Sequence, residues 1–227
     1  MRGRPTLVNN VETLAHMALI ARFGPDWFRS VGEQDEPGTM LVTLSGALNH
    51  HGVVEVPTGS LLPGLIENAG GTDPRSLRAV LVGGYHGSWI PTTEFEGLRL
   101  SRSGLKALGA SPGAGIVSGL AATECGLSST AVIARYLADE SARQCGPCLN
   151  GLPRLAELLD QLAHGRAETH LVAEIRRVAG LVDGRGSCRH PDGTARMLRS
   201  ALKTFSADID MHRKRRCVAA DAIAGGA

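Results

Sequence analysis

The tetrapeptide Cys145-Gly-Pro-Cys148 limits what this chain can fold into, because it places two thiols close together between two other segments. The residues before it, Thr130–Ala138, and those after it both have the apolar spacing of helices. In a thioredoxin-like enzyme the same four residues follow a β-strand, and no strand leads into them here. The remaining interpretations are half of a zinc site and part of an iron–sulfur binding loop.

Composition restricts the class of protein. The 227 residues are 43% hydrophobic, which is enough for a sizeable core divided between two modest domains. Lys and Arg number 24 against 22 Asp and Glu, so the charge does not indicate nucleic-acid binding. We find no apolar run of the roughly 18 residues that a membrane span needs, and no secretory signal. Five cysteines in such a chain favour metal binding or a reactive thiol, and we expect a cytoplasmic protein.

The pattern of apolar residues divides the first half of the chain into two stretches. Residues 1–35 contain one helical segment that follows Asn9 and Asn10, with Asn10 as its N-cap, and ends at Gly24. Residues 36–122 have the order strand, strand, helix, strand, strand, which predicts a small β-grasp-like α+β domain. The strands are predicted at 40–45, 53–56, 79–82 and 116–120, and the helix at 61–68.

Residues 123–227 are predicted to form a compact four-helix bundle with a frayed tail. In such a bundle the first and third linkers lie at the same end. Cys145 and Cys148 lie in the first linker and Cys188 lies in the third, which is rich in glycine. We therefore expect these cysteines to converge near helix N-termini, where negative charge is favoured. The helices are predicted at 128–140, with Ser128 or Ser129 as the cap, and at 149–163, 168–181 and 193–212, and the tail at 218–227.

The other two cysteines are expected at the opposite end of the bundle. Cys125 precedes the first helix, and at 1.5 Å per residue it would lie roughly 18 Å from the three-cysteine end. Cys217 follows the fourth helix and would be displaced by about 30 Å. Neither is expected to supply a fourth ligand, and the same arithmetic allows the two to be neighbours.

Three motifs, in order along the chain, resemble a known family. They are Gly3-Arg-Pro-Thr-Leu-Val-Asn-Asn-Val-Glu-Thr13, Glu140-Ser-x-x-Gln-Cys-Gly-Pro-Cys-x-x-Gly151, and Cys188. Together they are similar to the flavin-bearing, F-type subunit of bacterial NADH–quinone oxidoreductase (complex I) and to related hydrogenase and formate dehydrogenase subunits. The resemblance implies a soluble-ligand-binding (SLBB) β-grasp domain over 36–122 and a helical iron–sulfur domain over 123–227. It also implies that 1–35, with Asn9 and Asn10, is the remaining edge of a flavin domain.

Two departures from the family pattern shape the functional hypothesis. The sequence offers no Gly-rich loop for a dinucleotide, so we do not expect NADH oxidation by this chain alone, and FMN would require a partner domain. The family's first cluster cysteine is replaced by Ala142, which leaves Cys145, Cys148 and Cys188 as the metal ligands. The cluster would then be 4Fe–4S with a fourth ligand of another kind, or 3Fe–4S. Candidate fourth ligands close in sequence are Ser141, Ser187 and His190.

The hypothesis that follows is an iron–sulfur electron-transfer module, with no catalytic residue of its own. It would relay electrons from a flavin- and NADH-binding partner chain to a ferredoxin-like or other iron–sulfur carrier, either free or peripheral to a membrane complex. One alternative is a zinc site of Cys145, Cys148, Cys188 and His190, although the last two are close in sequence for a structural zinc pair. Another is a metal-free docking scaffold for redox partners.

Overall fold

The computed structural model describes residues 3–164, 168 and 170–220, and it shows a five-stranded sheet beside a group of helices. The predicted α+β class is therefore confirmed at the level of a mixed α and β fold. The strands are β1 (Thr39–Gly46), β2 (Gly52–Pro57), β3 (Leu77–Val82), β4 (Ser88–Pro91) and β5 (Ile116–Ala121). The α-helices are α1 (Val11–Phe23), α2 (Pro25–Arg29), α3 (Leu62–Asn68), α4 (Arg102–Leu105), α5 (Gly126–Asp139), α6 (Leu152–Ala163), α7 (Leu171–Val182), α8 (His190–Thr204) and α9 (Ser206–Arg213).

The strands form one mixed sheet in the order β2-β1-β5-β3-β4. β1 pairs with β2 in antiparallel fashion and with β5 in parallel, while β3 is antiparallel to both β5 and β4. The four predicted strands and the predicted helix at 61–68 are confirmed, with ends that differ by one or two residues. Strand β4 was not predicted, because four residues that end in Pro91 are too short to show an alternating pattern.

The predicted helices of the C-terminal half are present with corrected boundaries. The first begins at Gly126 with Cys125 as its N-cap residue, so the caps predicted at Ser128 or Ser129 are wrong. The predicted fourth helix is two helices, α8 and α9, because Phe205 leaves helical geometry with φ −104° and ψ 30°. The third helix begins later than predicted, at Leu171. Residues 221–227 of the predicted frayed tail lie outside the described residues.

Strand β3 connects the sheet to the helices, because both of its faces are buried. Val80 and Val82 point into a core that includes α3 and the ends of β1 and β5. Ala79 and Leu81, on the other face, join the core formed by the helices from α5 to α9. This alternation follows from the two-residue period of a strand. The core of the helical half therefore packs directly on one face of the sheet.

The open edge of the sheet is closed by helix α8. The backbone N–H of Trp89 on β4 donates to the Ser200 hydroxyl at 2.9 Å, and the backbone carbonyl of Trp89 accepts from the Thr204 hydroxyl at 3.1 Å. Edge strands expose unpaired backbone groups, and these two contacts satisfy a donor and an acceptor of β4. Arg196 of α8 also donates to the His86 carbonyl at 2.7 Å. These bonds fix α8, and hence its N-terminus beside Cys188, relative to the sheet.

Two helical glycines provide a matched test of packing in this core. A methyl group at Gly126 would overlap the Phe205 ring, whereas one at Gly180 would meet no atom within 4 Å. We expect Gly126→Ala to lower the free energy of unfolding by about 1–3 kcal/mol, because overpacking forces the ring to move. Gly180→Ala should raise it by about 0.5–1 kcal/mol, because alanine favours the helix. Urea unfolding measures both, and equal effects of the two substitutions would contradict the packing described here.

Candidate metal centre

Two linkers lie side by side at one end of the helical half. Residues Pro147–Gly151 form a short π-helical turn that leads directly into α6. Gly151 lies against the Val182 side chain, which ends α7. His190 begins α8, and its Nε2 lies 2.8 Å from the Leu137 carbonyl oxygen near the end of α5. The linker between α5 and α6 and the linker between α7 and α8 are thus adjacent, as predicted.

These linkers place Cys145, Cys148 and Cys188 at one end of the helical half, near enough for the other two thiols to raise the pKa of Cys148, and we call them the three-cysteine group. The backbone N–H groups of Ser187 and of Cys148 approach the Cys145 sulfur and lower its pKa. Burial raises the pKa of the Cys148 thiol to about 11, and the neighbouring Cys145 and Cys188 thiols add to the rise. The three thiols differ in exposure: Cys148 is buried, Cys145 is half-buried and Cys188 is exposed. Metal binding would replace the protons of all three thiols and would depend on pH.

The surroundings of the three-cysteine group suit an anionic ligand. The start of α8 follows Cys188, and the π turn and α6 follow Cys145. Helix N-termini carry unpaired N–H groups and partial positive charge. The two N–H groups at Cys145 show that this backbone is already directed toward sulfur. The residues present therefore fit an iron–sulfur cluster in their donor chemistry, with one thiolate fewer than the usual four.

The three predicted candidates for a fourth ligand differ in what their side chains contact. Ala142 is exposed and has no donor atom. The Ser141 hydroxyl donates to the Ala138 carbonyl at 2.9 Å, and His190 Nε2 is directed at Leu137. The Ser187 hydroxyl, by contrast, lies near the Cys145 sulfur and contributes to lowering the pKa of that thiol. Ser187 is therefore the predicted candidate that is already next to the group.

Asn9 and Asn10 lie at the beginning of α1 and are exposed. The Asn10 side chain accepts a hydrogen bond from the Glu12 N–H at 3.4 Å, so the predicted N-cap is confirmed. None of the residues of α1 is buried, although several are apolar. The exposed apolar side chains of this region are Leu7, Val8, Val11, Leu14, Met17, Leu19, Phe23, Trp27 and Val31.

A second group of metal-binding residue types was not predicted as a site. The ligand atoms of Cys125, His212 and Cys217 lie within 4.8 Å of one another. The helix lengths allowed Cys125 and Cys217 to be neighbours, and they are, but the part of His212 was not predicted. The signal available was a histidine five residues before Cys217 at a helix end, and it required knowledge of how the chain turns there.

Comparison with known proteins favours the iron–sulfur interpretation of the Cys-x-x-Cys motif. Residues 128–212, which contain the whole three-cysteine group, match the family described as the NADH-ubiquinone oxidoreductase-F iron-sulfur binding region. The chain is similar to the C-terminal part of the F-type subunit of NADH-quinone oxidoreductase. It is 35% identical over 216 residues to the F-type subunit numbered 2 of NADH-quinone oxidoreductase in Rhizobium meliloti, covering 94% of this chain and 51% of that protein.

Hydrogenase subunits are also similar to this chain. It is 27% identical over 211 residues to the NADP-reducing hydrogenase subunit HndC of Solidesulfovibrio fructosivorans, covering 92% of this chain and 43% of that protein. It superposes on an NAD+-reducing [NiFe]-hydrogenase in the air-oxidized state with a TM-score of 0.81 and 26% identity, over 92% of this chain and 36% of the other. The chain spans about half the length of the curated relatives it matches.

Proposed function

We propose that this chain is an iron–sulfur electron-transfer module in which Cys145, Cys148 and Cys188 hold the cluster. The observation that supports this most directly is the meeting of the three cysteines, within the matched iron–sulfur binding region, at a point where backbone N–H groups approach sulfur. When bound, an iron–sulfur cluster supplies one-electron transfer at a potential set by its ligands, hydrogen bonds and exposure. The residues of this chain hold it, stabilise its negative charge and determine its exposure.

The three ligands would have different tasks because their burial differs. Cys148, which is 4% exposed and belongs to the helical core, would fix the cluster against the protein. Cys188, which is exposed, would leave one side of the cluster close to the surface. Electron transfer between proteins requires close approach of the two centres, so we propose that the Cys188 side faces a redox partner.

The replacement of a cysteine by Ala142 leaves the cluster type open to two forms. A 3Fe–4S cluster matches three thiolates, whereas a 4Fe–4S cluster needs a fourth ligand. Ser187 is our candidate for that ligand, because its hydroxyl lies beside Cys145. The alternative of a zinc site completed by His190 has less support, because His190 Nε2 is directed at the Leu137 carbonyl and its ring packs on His86 at 4.8 Å between centroids.

A flavin-bearing partner is the second part of the proposal. Helix α1 exposes apolar side chains that a soluble surface does not normally group together. We propose that residues 1–35 are the edge of a flavin domain supplied by a partner chain, with Asn9 and Asn10 near its FMN. Electrons would pass from NADH through that partner to the cluster, and then to a ferredoxin-like or other iron–sulfur carrier in the cytoplasm or at the periphery of a membrane complex. No described helix is long and apolar enough to cross a membrane.

We also propose the finer fold assignments. Residues 36–122 would be a β-grasp domain of the soluble-ligand-binding type, supported by the sheet in which β5 lies between β1 and β3 and by α3, which packs on one face. Residues 123–227 would be a four-helix iron–sulfur domain, supported by the mutual packing of α5, α6, α7 and α8, to which α9 is added. In this scheme the sheet is a rigid base for α8, and thereby for Cys188.

The electron-transfer role can be tested with the loaded chain and NADH. After anaerobic reconstitution, NADH alone should leave the cluster oxidised, because we expect no Gly-rich dinucleotide loop in this sequence. Addition of the NADH-oxidising flavoprotein half of a related, full-length relative should reduce it, which low-temperature EPR would follow. Reduction by dithionite but not by the flavoprotein with NADH would contradict the proposed donor, and no reduction by either would contradict an electron-transfer role.

Restoration of the missing thiol provides a prediction about cluster type. We expect Ala142→Cys to give a chain with four irons and four sulfides and a reducible 4Fe–4S signal, because the cluster then has its usual four thiolates. Gln144→Cys is the matched control, since it adds an exposed thiol two residues away in the same linker and should not change the cluster. Iron and acid-labile sulfide analysis with EPR distinguishes the variants. Identical spectra of the parent chain and Ala142→Cys would show that position 142 does not face the cluster.

A further inference from the structure

We propose that Cys125, His212 and Cys217 form a second metal site, separate from the three-cysteine group, that takes a single zinc ion. It ties the segment after α9 to the start of α5. This inference does not depend on the proposed electron-transfer function, because none of these residues belongs to the three-cysteine group. Two thiolates and one imidazole suit zinc, which binds Cys sulfur and His nitrogen in tetrahedral sites.

The distances between the three ligand atoms are close to those of a tetrahedral zinc site. The three ligand atoms lie within 4.8 Å of one another, and Cys125 Sγ is 3.4 Å from His212 Nε2. With Zn–S bonds of about 2.3 Å and Zn–N bonds of about 2.0–2.1 Å, tetrahedral ligand atoms are separated by about 3.6–3.8 Å. Each ligand atom therefore needs to move by about 1 Å or less for an ion to be bound.

The chain is folded back so that Cys217 returns to His212. Arg215 adopts the left-handed conformation with φ 57°, which is uncommon for a residue with a side chain. The Arg216 N–H donates to the Met211 carbonyl and the Arg215 N–H donates to the His212 carbonyl, both at 3.0 Å. This pair of bonds is the Schellman arrangement at a helix C-terminus, and here it requires a strained arginine rather than glycine. A metal ion bound across the turn would offset that strain.

The protein supplies support around the three ligands. His212 is only 4% exposed, so its ring is held by packing on the last turn of α9. Cys125 is half-buried at the N-cap position of α5, where the N–H and hydroxyl of Ser128 approach its sulfur. Such contacts orient a thiolate toward an ion. Cys217 is also half-buried, so solvent can supply the fourth ligand and the ion has a path of entry.

The test removes the competing cysteines and then removes the site. In the reduced, metal-stripped full chain with Cys145, Cys148 and Cys188 all changed to Ser, we expect one Co²⁺ ion to bind with thiolate charge-transfer absorption and the spectrum of tetrahedral cobalt. Zn²⁺ should displace it stoichiometrically. Adding Cys125→Ser or Cys217→Ser should lower the affinity at least about 100-fold, since loss of a supporting contact alone costs about 10–100-fold. His212→Asn should also weaken binding and shift the cobalt spectrum.

A second design keeps the proposal testable if the triple variant does not fold. In the intact chain with its cluster reconstituted, elemental analysis should give one zinc per chain. The double variant Cys125→Ser with Cys217→Ser should lose that zinc and keep its iron. Zinc that persists in the double variant, cobalt binding that depends only on the three-cysteine group, or a Cys125–Cys217 disulfide that forms in place of metal binding would each overturn the proposal. An intact chain that holds one zinc and no iron, with that zinc lost in the double variant, would instead contradict the proposed function and leave this site standing.

Discussion

Replacement of Asp208 by asparagine is expected to lower the free energy of unfolding by about 3–5 kcal/mol, because it leaves a largely buried charge without its partner. The Asp208 side chain is 1% exposed, and that of Arg78 is 18% exposed. Both carboxylate oxygens accept hydrogen bonds from Arg78 Nη2, at 2.6 and 2.7 Å, and Arg78 Nη1 donates to the Glu124 carbonyl at 2.8 Å. The pair joins β3 to α9, so its loss should loosen the sheet from the helical half.

A neighbouring exposed pair provides the control for Asp208. Asp210 accepts a hydrogen bond from Arg213 at 3.2 Å on the same helix, and both side chains are substantially exposed. Asp210→Asn should change the free energy of unfolding by less than about 1 kcal/mol, because solvent screens a surface pair. Denaturant unfolding of the two variants gives the comparison. Equal small losses would show that the Arg78–Asp208 pair does not hold the two parts of the fold together.

Replacement of Cys148 by serine is expected to abolish cluster assembly. The reason is that the three-cysteine group is already one thiolate short, so loss of its most buried member leaves two sulfur ligands, one of them exposed. Serine is close to cysteine in size, which limits damage to the surrounding core. The measurement is iron and acid-labile sulfide per chain after anaerobic reconstitution, with circular dichroism to confirm that the variant is folded.

Cys125→Ser is the matched control for this second variant, because it removes a thiol of the same chain outside the three-cysteine group. It should retain the full iron and sulfide content of the parent chain. If Cys148→Ser also retained them, the ligand assignment would be wrong. If both variants lost them, a general effect on folding rather than ligation would be indicated, and the circular dichroism spectra would show it.

The elements that could be predicted well are those fixed by local pattern. Residues 79–82 of β3 are a continuous apolar run and were identified, because a strand segment buried on both faces has such a sequence. β4 was missed because it is only four residues long and because its outer edge is held by hydrogen bonds with Ser200 and Thr204, which are remote in sequence. The break at Phe205 was missed for a similar reason. Its ring packs on Trp89 with centroids 5.3 Å apart, and no Gly or Pro marks the position.

The candidate sites also differ in whether local sequence pattern or contacts remote in sequence determine them. The convergence of the three-cysteine group was predicted from short linkers and the expected bundle geometry, and the contacts around Cys145 and Cys148 support it. The juxtaposition of Cys125, His212 and Cys217 could be predicted only in part, because it depends on the turn at Arg215. That turn has a left-handed residue that is neither Gly nor Asn, so the usual sequence signal for it is missing.

The measurement that tests the central claim most directly is metal and acid-labile sulfide analysis of the anaerobically purified chain, combined with low-temperature EPR. The proposal predicts about three or four irons per chain, with matching sulfide and a signal that changes on reduction. The second site would add one zinc to this count without altering the sulfide. Zinc without iron or sulfide, or a chain free of metal after reconstitution, would contradict an iron–sulfur module and favour a zinc-stabilised or metal-free scaffold.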